Sequence, residues 1–463
     1  MLLCPLDYRY GRDEMKMIFT EENRLLTQLK VEAALARAHA KLGNIPKAAA
    51  IEITKKADLN FVKPERVKEI EDETKHDVMA MVRSLSEQCS GEAGRYVHLG
   101  ATSNDIVDTA SAIQISQSLD IVERDVVHLI ATLAGLAKKH RDTIMMGRTH
   151  GQFAIPTTYG FKIAGYITEM MRYQERISEA RKRLCVGKMS GAIGTGAALG
   201  PKVLEIQELV MKDLGLGIEE AATQIVCRDR YAELVAIMSM LDTSCERYAT
   251  EVRNLQRSEI MEVSEAFDNE KQVGSSTMAQ KRNPVISENL CGLTRIARAL
   301  IIPAMEDMVL WHERDLTNSS AERFILPHIM VLTDDIVTKM DTVFSGLVIH
   351  ADNMQRNLDS SRGLMMAEPV MICLVGKGLG RQEAHEIVRR ASMAAEDQGK
   401  TFKEMLLKNK EVKSRLTKPE LEKVMDPSNY VGVAPQIVDS VVAKAEALVS
   451  SKRSAKKAKK TIL

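Results

Sequence analysis

Apolar residues recur along most of the chain at three- and four-residue intervals, the period of helices that bury one face. Between about Thr20 and Leu42 the series is Leu25, Leu26, Leu29, Val31, Ala34, Leu35 and Ala38, with Gly43 as the stop. A second helix is predicted from Pro64 through Val78 to Leu85. From Asp105 to Ala134 neither Gly nor Pro interrupts the chain, so a helix about 45 Å long can form. Pro156 is expected to open another long helix. The clearest period lies within 218–273, which also lacks Gly and Pro. There Tyr231, Leu234, Met238, Leu241, Cys245, Tyr248, Val252 and Leu255 step alternately by three and four, a coiled-coil seam for packing against other long helices. Helices are predicted again from Pro284 to Ile302 and from Leu326 to Leu347, and after Arg362-Gly363 the pattern shortens between Gly376, Gly378, Gly380, Gly399 and Pro419. The expectation is an all-α chain: an N-terminal helical domain (1–101), a central long-helix bundle (102–354) and a small C-terminal domain (355–463).

Composition sharpens this picture more than it changes it. Aromatic residues are 4% of the chain, too few for a sheet-rich core, whereas good helix formers abound. Lys+Arg number 64 against 63 Asp+Glu, so no global field recruits nucleic acid or a membrane surface. No apolar run reaches the ~18 residues of a membrane span. Met1-Leu2-Leu3-Cys4 is too short for a secretion signal, with Pro5, Asp7 and Arg9 following at once. Seven scattered cysteines without a C-x-x-C pair fit a reduced, cytoplasmic protein. The Lys452–Lys460 run reads as a solvated basic tail.

Candidate chemistry sits in the polar segments between helices. The loop Gly274-Ser275-Ser276-Thr277-Met278-Ala279-Gln280-Lys281-Arg282-Asn283-Pro284 precedes a helix that Asn283 can cap, with Ser287-Glu288-Asn289 beyond it. Lys281 and the positive helix end both favour negative charge there, which suits an anion or an ionised serine. It is not a P-loop, because Gln280 stands where a second glycine must precede the lysine. In Gly187–Gly196 the dinucleotide fingerprint also fails, since Leu199 takes its last small position and no strand is expected before it. His150, between Thr149 and Gly151, is a loop histidine with either a structural or a chemical use. His76 is crowded by Glu69, Glu71, Asp72, Glu73 and Asp77, which favour its protonated form even if it is only a surface residue. In the turn from His98 to Asp105, Thr102, Ser103 or Asn104 can cap the next helix or bind an anion at its N-terminus. Arg314 and Arg323 flank Ser319-Ser320, an arrangement for either a phosphate or surface ion pairs.

These segments resemble the fumarase/aspartase superfamily and, within it, the adenylosuccinate lyases over nearly the whole chain. The broad resemblance rests on the His98–Asp105 turn, Thr149-His150, Gly187–Thr195 and the Ser-Ser loop; Ala279-Gln280 depart from the common Pro-His. The narrower one rests on Arg9-Tyr10, Thr74-Lys75-His76-Asp77-Val78, Lys281-Arg282-Asn283-Pro284 and Arg314–Arg323, with Lys75 where many relatives carry arginine. The resemblance implies a three-domain all-α fold, a homotetramer with sites shared between subunits, nucleotide substrates, and neither metal nor other cofactor. The implied reaction is β-elimination of fumarate from adenylosuccinate, giving AMP, and from the succinyl-carboxamide ribotide of purine synthesis. It implies Ser275 as base and His150 as acid, with His76 assisting and Lys281 and Glu288 holding developing charge. Thr102, Ser103, His98, Thr149, Ser276, Met278 and Asn283 would contact the succinyl end or its surroundings. Lys75, Asp77 and Gln224 would contact substrate, and Arg9, Tyr10, Arg314, Ser319 and Arg323 the nucleotide phosphate. A carboxymuconate cycloisomerase-type enzyme is the alternative within the superfamily, and a helical scaffold without chemistry the alternative outside it.

Overall fold

The computed structural model describes residues 3–268 and 270–462, with side chains through Ser454. Met1-Leu2 and the side chains of Lys456, Lys457, Lys459 and Lys460 in the basic run lie outside the described residues. The chain is mostly helical, and its helices follow the apolar period closely. Helix α1 (Glu21–Lys41) starts at Thr20, whose side chain accepts from Asn23 N, and buries Leu25, Leu29, Val31, Ala34, Leu35 and Ala38. The helix expected from Pro64 to Leu85 is instead two, α2 (Pro64–Thr74) and α3 (Asp77–Gln88). The break follows from Lys75, which takes a left-handed conformation at φ 57°, and from His76, whose side chain caps α3. Helix α4 (Ser103–Lys139) is followed by a hairpin, β1 (Ile144–Thr149) and β2 (Gln152–Thr158), and by helix α5 (Tyr159–Leu184). Pro156 therefore lies in a strand opposite Met146 and not at a helix start; a two-stranded ribbon leaves one side of each strand unpaired, where a missing N–H is tolerated. Helix α6 (Asp229–Leu255), α7 (Val285–Ala299) and α8 (Thr317–Gly346) complete the long elements. All eight seam residues of α6 are buried.

Two further ribbons pair only two residues per strand, Val186–Gly187 with Gly217–Ile218 and Val263–Ser264 with Val348–Ile349. The first places a short strand where none was expected before the glycine-rich loop. The C-terminal run is helical, Ala434–Ile462, as its alanines and lysines favour.

The chain forms two compact units. The first comprises 1–126, 173–245 and 292–338; one of its cores joins α1, α3 and the helix Val203–Leu214 through Leu29, Leu35, Met81, Leu85 and Val210. The second comprises 127–172, 246–291 and 339–463, with a core of Val370, Leu374, Val388, Phe402, Leu406 and Leu421 among its short helices. Among the described residues no helix is long and apolar enough to cross a membrane.

Candidate active site

The first unit contains a cleft of about 470 Å³ that collects seven of the candidate residues: Lys75, His76, Asp77, Ser103, Arg314, Ser319 and Arg323. The α2–α3 break presents the first three. His76 Nδ1 accepts from Met79 N at 3.3 Å, which leaves the ring proton on Nε2. Asp77 accepts from Val78 N and from Arg323 Nη2, each at 2.8 Å, with Arg24 Nη1 at 3.8 Å. Burial raises the Asp77 pKa, but the Val78 amide, Arg323 and Arg24 outweigh it and hold the carboxyl below its usual range.

Beneath these side chains lies a charged floor. Arg228 is buried and bonds both oxygens of Asp108, at 2.8 and 2.9 Å, and both of Glu322, at 2.6 and 3.1 Å. The same Asp108 accepts from Val226 N at 2.8 Å, fixing the segment that carries Gln224. Arg314 Nη1 donates to Gln224 Oε1 at 3.1 Å, whereas its buried Nε has no partner among the described residues. Burial, reinforced by Arg228 and opposed by Asp108 and Glu322, pushes the Arg314 pKa below the usual arginine value. A guanidinium with an unsatisfied donor, partly shielded from water, is suited to grip an anion.

Ser103 is the first residue of α4, and the turn before it is anchored from within. Asp105, fully buried, accepts from Lys188 Nζ at 2.6 Å, Ser190 N at 2.9 Å, Gly191 N at 3.0 Å and Thr102 N at 2.8 Å. His98 in that turn has φ 63° and donates from Nδ1 to the buried Glu32 at 2.6 Å. Arg9 and Tyr10 lie together, with Arg9 Nε donating to the Tyr10 hydroxyl at 3.3 Å, and neither lines the cleft. His98, Thr102 and Gln224 are in the same unit and likewise do not line it.

The second unit holds the remaining candidates. His150 and Gly151 form the two-residue tip of the β1–β2 hairpin, with φ 54° and 75°. Positive φ at both positions is what a tight hairpin turn demands, and a histidine there carries backbone strain. Thr149 and His150 are exposed. In the Ser-Ser loop, Ser275 Oγ accepts from Thr277 N at 3.3 Å and Met278 N at 3.1 Å, two donors that would stabilise a serine alkoxide. Ser276, Met278 and Lys281 are exposed, with Lys281 N bonded to Met278 O at 3.0 Å. Asn283 Nδ2 closes the loop on Gly274 O at 3.1 Å. Gly274 is required there, since a Cβ would fall 1.8 Å from Lys281 O. The start of α7 is capped from a distance: the buried Glu265 accepts from Ile286 N at 3.1 Å and Ser287 N at 2.7 Å. Glu288 is exposed in its first turn.

Sequence reasoning missed Arg24, Gln28, Gln114 and Arg228, which also line the cleft. Arg24 and Gln28 are one turn apart on α1, and a buried glutamine on an amphipathic helix was the available signal. Arg228 stands one residue before α6 and had none. Among the described residues no group of His, Cys, Asp and Glu is placed to hold a metal ion.

Residues 7–298 match the model of the Lyase family. The fold is shared with a fumarate lyase from Mesorhizobium sp. BNC1 (TM-score 0.87, 33% identity, 94% of this chain and 98% of that one). It is shared equally with a 3-carboxy-cis,cis-muconate lactonizing enzyme from Pseudomonas putida (TM-score 0.87, 32% identity, 96% and 99%). Fold and site thus define a lyase with the fumarase/aspartase-like architecture.

Residues 363–441 match the model described as adenylosuccinate lyase C-terminus. Adenylosuccinate lyases of Pyrococcus abyssi and Methanocaldococcus jannaschii are 53% and 50% identical over 442 residues, 96% of this chain and 98% and 96% of theirs. The chain belongs to the adenylosuccinate lyase family.

Proposed function

We propose that the protein eliminates fumarate from adenylosuccinate, leaving AMP, and from the succinyl-carboxamide ribotide by the same chemistry. The observation that carries the substrate class is the cleft in which Arg314 and Arg323 stand with Ser319, His76 and Ser103. Two arginines, one with an unsatisfied buried donor, suit a phosphate; a muconate-type substrate has none to offer.

In this reading Ser275, as alkoxide, removes the proton beside a succinyl carboxylate. The C–H electron pair becomes the C=C bond of fumarate, the C–N bond breaks, and the departing nitrogen takes a proton from His150. Lys281, Asn283 and Glu288 hold the carboxylates and the charge that develops on them. His76 assists from the edge of the cleft, Thr102 and Ser103 bind the succinyl end, and Arg9 and Tyr10 join the nucleotide contacts.

We further infer that the complete site is assembled by self-association into a homotetramer. Exposed apolar side chains support this: Ile296, Ile302, Val309, Trp311, Leu316 and Phe324 are each more than half exposed, apolar surface that association would cover. Domain boundaries near 101 and 354 belong to the same reading.

The test is fumarate release from purified protein given adenylosuccinate, with Ser275→Ala alongside. Release by the parent alone is expected; a folded parent that releases none refutes the elimination. Mixing inactive His150→Gln and Ser275→Ala chains under exchange conditions should restore part of the activity. No recovery would refute shared sites.

A further inference from the structure

Helix α1 grips the His98 turn with two buried side chains that the reading above leaves unused. Glu32, 1% exposed, bonds His98 twice: Oε1 to Nδ1 at 2.6 Å and Oε2 to the backbone N at 3.1 Å. Two turns further along the same helix, the buried His39 donates from Nε2 to Leu99 O at 3.0 Å. Its Nδ1 accepts from Asn44 Nδ2, also at 3.0 Å. The turn between them includes His98 at φ 63°, a conformation a β-carbon disfavours and that persists only when its surroundings hold it. Here three hydrogen bonds from one rigid helix hold it.

We propose that Glu32 is a positioning residue for the elimination, fixing His98 as a charged donor that offers its Nε2–H to a carboxylate of the substrate. This rests on the elimination reading. A buried carboxylate needs a compensating partner, and among the described residues Glu32 has His98. Both Glu32 oxygens accept from His98, so Nδ1 must carry its proton, and the negative charge favours a second proton on Nε2. The other charged groups facing this turn are Asp105 and Lys188, which pair with each other at 2.6 Å, and His39. Burial lowers the His98 pKa, but Glu32 and, more weakly, Asp105 overcome it and raise the value. Burial holds the His39 value low, so the two histidines of this network are shifted in opposite directions. Such a clamp suits a fixed cation that binds an anionic substrate.

The experiment is histidine C2 hydrogen–deuterium exchange followed by mass spectrometry across pH, which titrates individual histidines. In the parent, His98 should titrate above its ordinary value of about 6.5 and His39 below. In Glu32→Gln, the His98 titration should move to lower pH, with His39 unmoved. The alkaline limb of kcat/KM should shift the same way, and the rise in KM should exceed the fall in kcat. A purely structural Glu32 would leave the alkaline limb in place even though the His98 titration moves. Glu32→Gln added to His98→Gln should cost no further activity. A parent His98 that titrates at or below 6.5 overturns the proposal even if the variant fails to fold, and so does an unmoved alkaline limb. A parent that releases no fumarate overturns the underlying reading instead, which the His98 titration distinguishes.

Discussion

The cleft of the first unit and the Ser-Ser loop of the second solve opposite problems. In the cleft, polar side chains are tied down by others that are themselves buried: Arg228 by Asp108 and Glu322, the Ser103 turn by Asp105 and Lys188. In the loop, residues 276–282 are exposed, and Ser275 Oγ accepts from amides only two and three residues further on, Thr277 and Met278. Binding an anion rewards donors held in place before it arrives, because none of the ordering is left to the moment of binding. Removing a weakly acidic proton requires an approach that closes over the substrate, and a loop with few tertiary bonds opens and closes at low cost. Under the proposed elimination, the difference between the regions divides what is ordered in folding from what is deferred to turnover.

The largest effects should separate the regions completely. Ser275→Ala should lower kcat by about 10³-fold or more, near the range of a lost general base. Because the residue makes only local contacts, its stability should stay within about 0.5 kcal/mol of the parent. Lys188→Met should do the reverse first. It strands the buried Asp105 carboxylate, at a cost of about 3–5 kcal/mol, seen as an early urea midpoint. Should Ser275→Ala destabilise the fold as much as Lys188→Met, the loop is structural and the division is wrong.

Within the cleft, Arg323→Ala should weaken AMP binding by about tenfold to a hundredfold, the usual worth of a charge-assisted bond at a partly exposed site. Calorimetric titration with AMP measures it. Unchanged AMP affinity would move the phosphate elsewhere and leave Arg323 as the surface partner of Asp77.

Much of this was legible in the sequence wherever the cause was local. The α6 seam repeats every 3.5 residues, and all eight of its positions are buried; periodicity and burial have the same origin. The break at Lys75–His76 was not legible, because Glu73–Val78 has no Gly or Pro and each residue tolerates a helix; only the left-handed Lys75 and the His76 cap, seen in three dimensions, divide it. The hairpin was hidden by Gly147 and Pro156, which read as loop and helix start but occupy a bulged ribbon. Asn283 was a reasonable local cap for α7, yet Glu265, some twenty residues away, supplies the acceptors. Candidate residues were found where chemistry clusters in sequence. Arg228 was missed because its partners, Asp108 and Glu322, come from distant helices.

The smallest predicted effect tests whether the cleft's preorganisation carries a stability cost. Asp307 has one buried oxygen without a partner among the described residues. Burial, together with the nearby Glu322 charge, pushes its pKa up to about 6 despite Arg228. An unfolded aspartate titrates near 3.9, so between those values the folded chain binds more protons than the unfolded one, and its stability falls as pH rises. The favourable contribution of the neutral carboxyl is complete below about pH 4 and gone above about pH 6. Asp307→Asn, which stays neutral throughout, should match the parent at pH 4. At pH 7.5 it should exceed the parent by about 1 kcal/mol, a figure reduced from the full shift because the group is partly screened by solvent. Urea unfolding at the two pH values measures the difference. A gain of equal size at both would mean that the amide merely packs better, and that the charge crowded around Arg228 costs the fold nothing.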